Sequence, residues 1–355
     1  MIKVLFVTRK WPPAIGGMET YSYELSKKLG SICDLTIRSL PGKNNGKPPS
    51  LTSLAFFLLS AGFFVIKSRS FNVVHIGDLV LWPLALVATV AMPTAKVVVT
   101  AYGLDILYGS RKGLLPGLYR FYLALGVRLI SQKIKIIAIS KATAQLCYRI
   151  GFPNIRVVPL GVQEPIKPSG LNQDRDKFLL FVGRLVKRKG AGWFAENVLP
   201  LLPSSIRMVV VGKRWDESEW QIIAGNPFVK YLGVVSRKEL IRLRCSAVAV
   251  LMPNIPTDGE DMEGFGLTAL EAGADGGVLL ASGIEGIADA VVDGETGFLL
   301  PAKDPKAWAE KIREIGDWPS EKRERFVLGA QKIIREKFSW ERVARDTLGI
   351  YEAHN

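Results

Sequence analysis

One pattern recurs along the chain: a short apolar run, rich in β-branched residues, ends in a glycine or polar turn and leads into a helix-like segment. In the first half the runs fall at residues 3–8, 34–38, 73–75, 96–100, 134–139 and 156–159, and in the second half at 178–182, 208–211, 229–232, 247–252 and 278–281. Runs this short that alternate with helices suit strands buried on both faces of a parallel sheet. A chain of 355 residues can supply two such sheets, each with its own core. A hydrophobic content of 48% excludes a disordered chain. Between Gly161 and Asp176 the composition turns to Pro, Gly, Asn, Gln and charge, with Pro165 and Pro168. That composition reads as a linker. The expected division is a first domain at 1–162, a linker at 163–176 able to act as a hinge, a second domain at 177–337, and a closing helix at 338–355.

The most informative single stretch is DGEDMEGFGLTALEAG, residues 258–273. Glu263 and Glu271 bracket the turn Gly264-Phe265-Gly266, which passes into an apolar helix opening at about Leu267 and Thr268. A helix start leaves N–H groups unpaired and favours an anion, and glycine lets a ligand approach. Glu271, about one turn inside, can accept from a vicinal diol such as a ribose, while Glu263 could meet a second polyol beyond the phosphates. The same residues also suit a plain helix start with acidic surface groups.

Glu, seven residues, Glu, with Gly-Phe-Gly between, resembles the donor motif of glycosyltransferase family 4, retaining enzymes of the GT-B fold. That resemblance implies two Rossmann-like, doubly wound domains facing across a cleft, with the C-terminal helix crossing back to the first. It gives Glu271 the donor ribose and Glu263 the transferred sugar. Gly183-Arg184 through Lys189-Gly190 resembles the family's phosphate loop, placing Gly183, Arg184 and Lys189 on the donor diphosphate. Cations belong there because nucleoside diphosphate departs with extra negative charge. Residues 13–19, Pro-x-x-Gly-Gly-x-Glu, resemble the first loop, so Gly16 and Gly17 are expected near the phosphates. GxGxxG is absent, which weakens a dinucleotide site.

The sequence departs from the family at one loop. Where His-Gly-x-Asp is usual, Tyr102-Gly103-Leu104-Asp105 stands. A tyrosine can donate a hydrogen bond but carries no positive charge at neutral pH. Tyr102 and Asp105 are the expected acceptor-side residues, Tyr102 with a catalytic role. His75, at a neighbouring strand end, either compensates for the missing histidine or is a satisfied structural residue.

Charge is distributed unevenly. The net charge is +14, and residues 1–165 hold 20 Lys and Arg against 6 Asp and Glu, whereas residues 166–355 hold 27 of each. So one-sided a field suggests an acidic partner for the first half, or plain solubility. Residues 111–130 interleave Leu, Tyr and Phe with Arg111, Lys112, Arg120 and Arg128, a pattern that suits a helix lying on an anionic bilayer as well as an ordinary amphipathic helix. The longest apolar stretch, residues 51–66, is too short to span. The opening MIKVLFVTRKWPP has too short an apolar run for a signal peptide. Three scattered cysteines, Cys33, Cys147 and Cys245, fit a reducing compartment. The expected place is cytoplasmic, peripheral at the inner face of the membrane.

The implied activity is transfer of a sugar from a nucleotide-sugar donor to an acceptor, a lipid-linked saccharide of surface polysaccharide or glycolipid synthesis. A nucleotide-sugar-binding protein without catalysis is the rival, suggested by Tyr102. No cofactor or metal is expected: Asp258, Glu260 and Asp261 read as a solvated loop, and Asp174-Arg175-Asp176 sits in the linker. A nucleic-acid partner would rest on charge alone and is not expected.

Overall fold

The computed structural model describes residues 1–14, 16–43, 49–68, 70–164, 178–257 and 261–353. The expected linker from Pro165 onward, the Asp174–Asp176 triplet, and Asp258 and Glu260 lie outside them. The chain divides into two units: Met1–Gly161, Gly259–Gly264 and Trp340–Asn355 form the first, Val162–Asp258 and Phe265–Ser339 the second.

The first unit alternates strand and helix. It opens with β1 (Lys3–Trp11), α1 (Gly17–Leu29), β2 (Asp34–Pro41), α2 (Leu51–Lys67), β3 (Val73–Ile76) and α3 (Trp82–Ala91). It continues with β4 (Lys96–Ala101), α4 (Leu104–Leu107), α5 (Leu114–Ile130), β5 (Ile134–Ala138), α6 (Lys141–Ile150) and β6 (Ile155–Val157). Its sheet runs β2-β1-β3-β4-β5-β6, every pairing parallel. Val4 to Val7 have no exposed surface because both faces are covered. Leu5 and Val7 join the cluster under α2, α3 and α5, with Phe57, Ala61, Leu84, Ala88 and Leu123.

The second unit repeats the plan with β7 (Phe178–Val182), α7 (Ala191–Asn197), β8 (Arg207–Val211), α8 (Glu217–Gly225), β9 (Val229–Gly233), α9 (Arg237–Ser246) and β10 (Ala249–Met252). It closes with α10 (Leu267–Ala274), β11 (Leu279–Ser282), α11 (Ile287–Ala290), β12 (Phe298–Leu300), α12 (Pro305–Gly316) and α13 (Ser320–Lys337). Its sheet runs β12-β11-β10-β7-β8-β9, again parallel. Trp308 of α12, wholly buried, packs edge-on against Phe194 of α7 at 5.9 Å. Pro305 at its start and an Asp304 side chain accepting from Lys306 and Ala307 N–H fix where α12 begins.

The last helix, α14 (Trp340–Glu352), belongs to the first unit. Lys96 Nζ donates to the carbonyl oxygens of Tyr351 and Glu352 at 2.7 and 3.2 Å, a cation satisfying the orphan acceptors of a helix C-terminus. At its other end Arg342 donates to the Pro159 carbonyl at 2.7 Å and Glu341 pairs with Lys28.

Both sheets have a reversal of strand order. In the first it falls between β1 and β3, in the second between β7 and β10. Beyond the carboxyl ends of such strands is where open parallel sheets bind ligands.

Candidate functional site

In the second unit the two family-like motifs leave the carboxyl ends of β7 and β10, which pair directly. They therefore flank the reversal point. Beyond β7, Gly183 packs backbone to backbone against Gly212 at the end of β8: a Cβ at Gly212 would stand 1.8 Å from the Gly183 carbonyl oxygen. Leu185 N–H donates to Lys213 O and Asp216 N–H to Leu185 O, each at 3.0 Å. The two loops are thus zipped together, and Arg184 stands on a rigid base. Its guanidinium lies 5.1 Å from the ring centre of Trp215, a side chain that is 66% exposed. Lys189, half-buried, ends a short 3₁₀ turn that Gly190 terminates at φ +72°. There a Cβ would fall 1.9 Å from the Pro253 carbonyl, so the phosphate-type loop and the segment after β10 meet at a position only glycine fits.

Helix α10 opens at Leu267 behind Gly266, which takes φ +92°. No side chain caps it, and Ala269 N–H turns back to the Gly266 carbonyl at 2.8 Å. Phe265 is buried against Phe338, their ring centres 6.4 Å apart. The glycines of this turn are also demanded by the chain itself. A Cβ on Gly264 would meet the Tyr102 carbonyl oxygen at 2.5 Å, and Gly266 needs its left-handed backbone.

Glu271 is part-exposed, and its Oε2 accepts from Arg244 Nη2 at 2.7 Å. Arg244, on α9, has no exposed surface, and its Nη1 donates to Asp275 Oδ2 at 2.6 Å. Arg237 grips both oxygens of Asp275 at 2.8 Å. Sequence reasoning missed Arg244, Asp275, Arg237 and Trp215. A signal for the first two was present: Glu271 and the residue that caps its helix, Asp275, lie four apart, a repulsive like-charge pair unless a cation stands between them.

In the first unit the residues at the reversal point are sealed in. His75 is wholly buried, one ring nitrogen 2.6 Å from Tyr351 Oη and the other 2.7 Å from Thr100 Oγ1. Burial lowers its pKa to about 3, so it is neutral. The alternative in which His75 meets an acceptor is thereby corrected: both nitrogens are committed to the fold. Tyr102, only 3% exposed, packs edge-on against Tyr21 at 5.6 Å, and burial raises its phenol well above the usual range. Asp105 accepts from the Tyr102 and Leu79 N–H groups at 3.0 and 3.4 Å, and burial, aided by nearby Asp78, pushes its carboxyl up to about 6. Tyr102 and Asp105 therefore organise a loop, and their polar atoms, the unpartnered Tyr102 hydroxyl among them, are buried rather than presented at the surface to an acceptor, a second correction. Asp78 also pairs with Arg9 at 2.8 Å. Gly16 precedes α1 and Gly17 begins it, and the Glu19 carboxylate folds so close that a Cβ on Gly16 would lie 2.5 Å from it. Glu263, half-buried, and Gly264 belong to the first unit, and Gly183, Arg184, Lys189, Phe265, Gly266, Leu267, Thr268 and Glu271 to the second. Among the described residues no group of three His, Cys, Asp or Glu side chains could hold a metal ion.

Two doubly wound α/β units with cation and carboxylate loops at a strand-order reversal define a two-domain GT-B chain. Residues 15–164 match glycosyltransferase family 4 and residues 176–317 match glycosyl transferases group 1. The chain belongs to this glycosyltransferase family. It is 36% identical over 221 residues to a D-inositol 3-phosphate glycosyltransferase of Nocardioides sp., covering 55% of this chain and 46% of that protein. It is 26% identical over 394 residues to the alpha-maltose-1-phosphate synthase of Mycolicibacterium smegmatis, covering 99% of each. The match spans about half the length of the first curated relatives. Among solved structures, Anabaena HepE in complex with UDP and glucose superposes with a TM-score of 0.70 at 18% identity over the whole of both chains.

Proposed function

We propose that this protein is a retaining glycosyltransferase that moves a hexose from a nucleotide sugar to a lipid-linked saccharide. The observation that carries the donor half is the placement of the Arg184–Lys189 loop and the Glu271 helix on paired strands either side of a reversal point. Arg184 and Lys189 stabilise the departing diphosphate, Glu271 takes the ribose and Glu263 the transferred sugar, with Gly183, Gly264, Phe265, Gly266, Leu267 and Thr268 shaping the donor turn and Gly16 and Gly17 beside the phosphates. In a retaining transfer the leaving phosphate accepts the acceptor proton on the face the sugar vacates, so no separate base is assigned. HepE is described with UDP and with UDP-glucose, which supports a nucleotide-sugar donor here.

The acceptor half rests on the surface of the first unit. Helices α2, α3 and α5 contain no Asp or Glu. On α2, Phe56 and Leu59 are 74% and 75% exposed, and on α5 Leu114 and Phe121 are 79% and 71% exposed. Lys67, Arg111, Lys112, Arg120 and Arg128 lie in or beside the same helices. Apolar residues flanked only by cations suit an anionic bilayer, whereas a second copy of the same face would oppose like charges. No helix of the described residues is long and apolar enough to cross a membrane, so the attachment proposed is peripheral.

The test is release of nucleoside diphosphate from UDP-, GDP- and ADP-sugars with a lipid extract as acceptor, the anomeric configuration of the product being read by NMR. An inverted product rules out the retaining step. Tight donor binding without turnover favours the second reading, a non-catalytic nucleotide-sugar-binding protein, which the sealed Tyr102 supports. Cosedimentation with anionic vesicles should fall on Phe56→Asp and on removal of Arg111, Lys112 and Arg120; equal binding to neutral vesicles sinks the docking.

A further inference from the structure

We infer that Arg244 is the positioning residue that aims Glu271 at the donor ribose, an inference resting on the nucleotide-sugar reading of Glu271. The four charged side chains form one line, Arg237–Asp275–Arg244–Glu271, whose links measure 2.6 to 2.8 Å. Exposure changes sharply along it. Arg244 and Asp275 are at 0% and 1%, and Glu271 emerges at 38%. The Cys245 thiol adds a contact to the Asp275 carbonyl at 2.7 Å, tying the end of α9 to the end of α10.

Stability alone is a poor reason for this arrangement. Burying a guanidinium and a carboxylate costs desolvation that their attraction often fails to recover, and well-packed apolar residues frequently serve as well. What the line supplies is direction. Oε2 of Glu271 is held by Arg244, and Oε1 has no hydrogen bond among the described residues. A carboxylate has about four acceptor sites, so the held group retains lone pairs for two hydroxyls of a vicinal diol. Fixing its rotamer beforehand removes an ordering cost from donor binding. Without the cation, Asp275 would repel Glu271 across one helical turn.

The consequence is specific to the ribose hydroxyls. UDP, GDP and ADP are each compared by calorimetry with the 2′,3′-dideoxy counterpart, and the pair whose ribose form binds most tightly is followed. The wild-type protein should prefer the ribose form by about 10-fold or more. Arg244→Met should reduce that preference to within about threefold while leaving dideoxy affinity nearly unchanged, and Arg244→Lys should restore part of it. Arg237→Ala, a change at a half-exposed position, should give a smaller loss of preference and guards against failure of the buried variant to fold. A structural role alone would weaken both nucleotides equally, and an unchanged ratio in Arg244→Met, or in Arg237→Ala if the former does not fold, overturns the inference. Glu271→Ala separates the two layers. If it keeps the wild-type ratio, or if no nucleotide binds the wild type, the ribose reading falls and Arg244 with it; if it abolishes the ratio while Arg244→Met does not, only the positioning falls.

Discussion

The two sheets share a plan and differ in how they treat the end where strand order reverses. In the first unit that end is closed: His75, Asp78 and Thr100 have no exposed surface, Asp105 and Tyr102 almost none, and the hydrogen bonds and ion pair they make run to one another, to backbone N–H groups, or to the side chains of Tyr351, Tyr21 and Arg9. In the second the corresponding end is open, with Arg184 and Trp215 exposed and Glu271 part-exposed. The buried charges there, Arg244 and Asp275, stand behind the exposed ones. One fold therefore treats its two ends differently: polar groups turned inward set the shape of a loop, and polar groups turned outward are left accessible. Large exposed apolar side chains of the first unit lie instead on α2 and α5, helices whose own sequences hold no Asp or Glu.

The largest effect that would sharpen this contrast is on turnover. Arg184→Ala and Lys189→Ala should each lower kcat by about 10²-fold or more, with a smaller change in donor affinity, because charge builds on the diphosphate as the glycosidic bond breaks. Donor-dependent rates within about threefold of wild type would break the assignment of the open end to the donor. Next comes the rigidity of that end. Gly190→Ala places a Cβ against the Pro253 carbonyl at a positive φ, and should destabilise the second unit by roughly 2–4 kcal/mol, seen as a lower melting temperature. An unchanged transition would mean that the loop relaxes freely.

Much of this was legible in the residues, for reasons that are themselves physical. Strands buried on both faces announce themselves as apolar runs, so β1, β4, β7 and β8 could be placed within a few residues. Gly-Arg followed by Lys-Gly, and Glu with Glu eight residues on, are local spacings, and local spacings survive in a linear reading. Arg244 and Glu271 are 27 residues apart, and His75 and Tyr351 are 276 apart; only the packing of α9 on α10, and of α14 on the first sheet, brings them together. The roles expected of Tyr102, Asp105 and His75 failed at that level. Loop position put them at strand carboxyl ends correctly, but burial, which decides whether such a residue meets solvent, depends on Tyr21, Trp340 and Tyr351 from both ends of the chain.

The closed end predicts a pH signature. His75 has its pKa lowered to about 3 by burial, below its ordinary 6.5, so the unfolded chain takes up a proton that the folded chain refuses. Its contribution to stability is present above pH 6.5 and is lost as pH falls toward 3. Asp105 has the opposite sign: with a carboxyl raised from 3.8 to about 6, its contribution is full below 3.8 and is lost as pH rises through 6. Denaturant melts at stepped pH should therefore show a flatter acid limb for His75→Gln and a steeper one for Asp105→Asn. Parallel curves for both variants would mean that these groups are hydrated in solution and that the end is not closed.

The smallest effect is the most discriminating, because it concerns the residue where the sequence departs from its family. Tyr102→Phe removes a hydroxyl that is buried beside Ser22 and makes no hydrogen bond of ordinary geometry among the described residues. The ring, which packs on Tyr21, and the main-chain N–H, which Asp105 holds, are untouched by the change. A buried hydroxyl without a good partner costs desolvation that nothing returns, so stability should stay level or rise by a few tenths of a kcal/mol, roughly. Turnover should change by less than about twofold, since the group has no route to an acceptor. A 10-fold loss in kcat with unaltered donor binding would show that the loop opens during the reaction and that the hydroxyl, hidden at rest, is delivered to the acceptor. The first unit would then be closed only until substrate arrives, and the contrast between the two ends would be one of timing rather than of architecture.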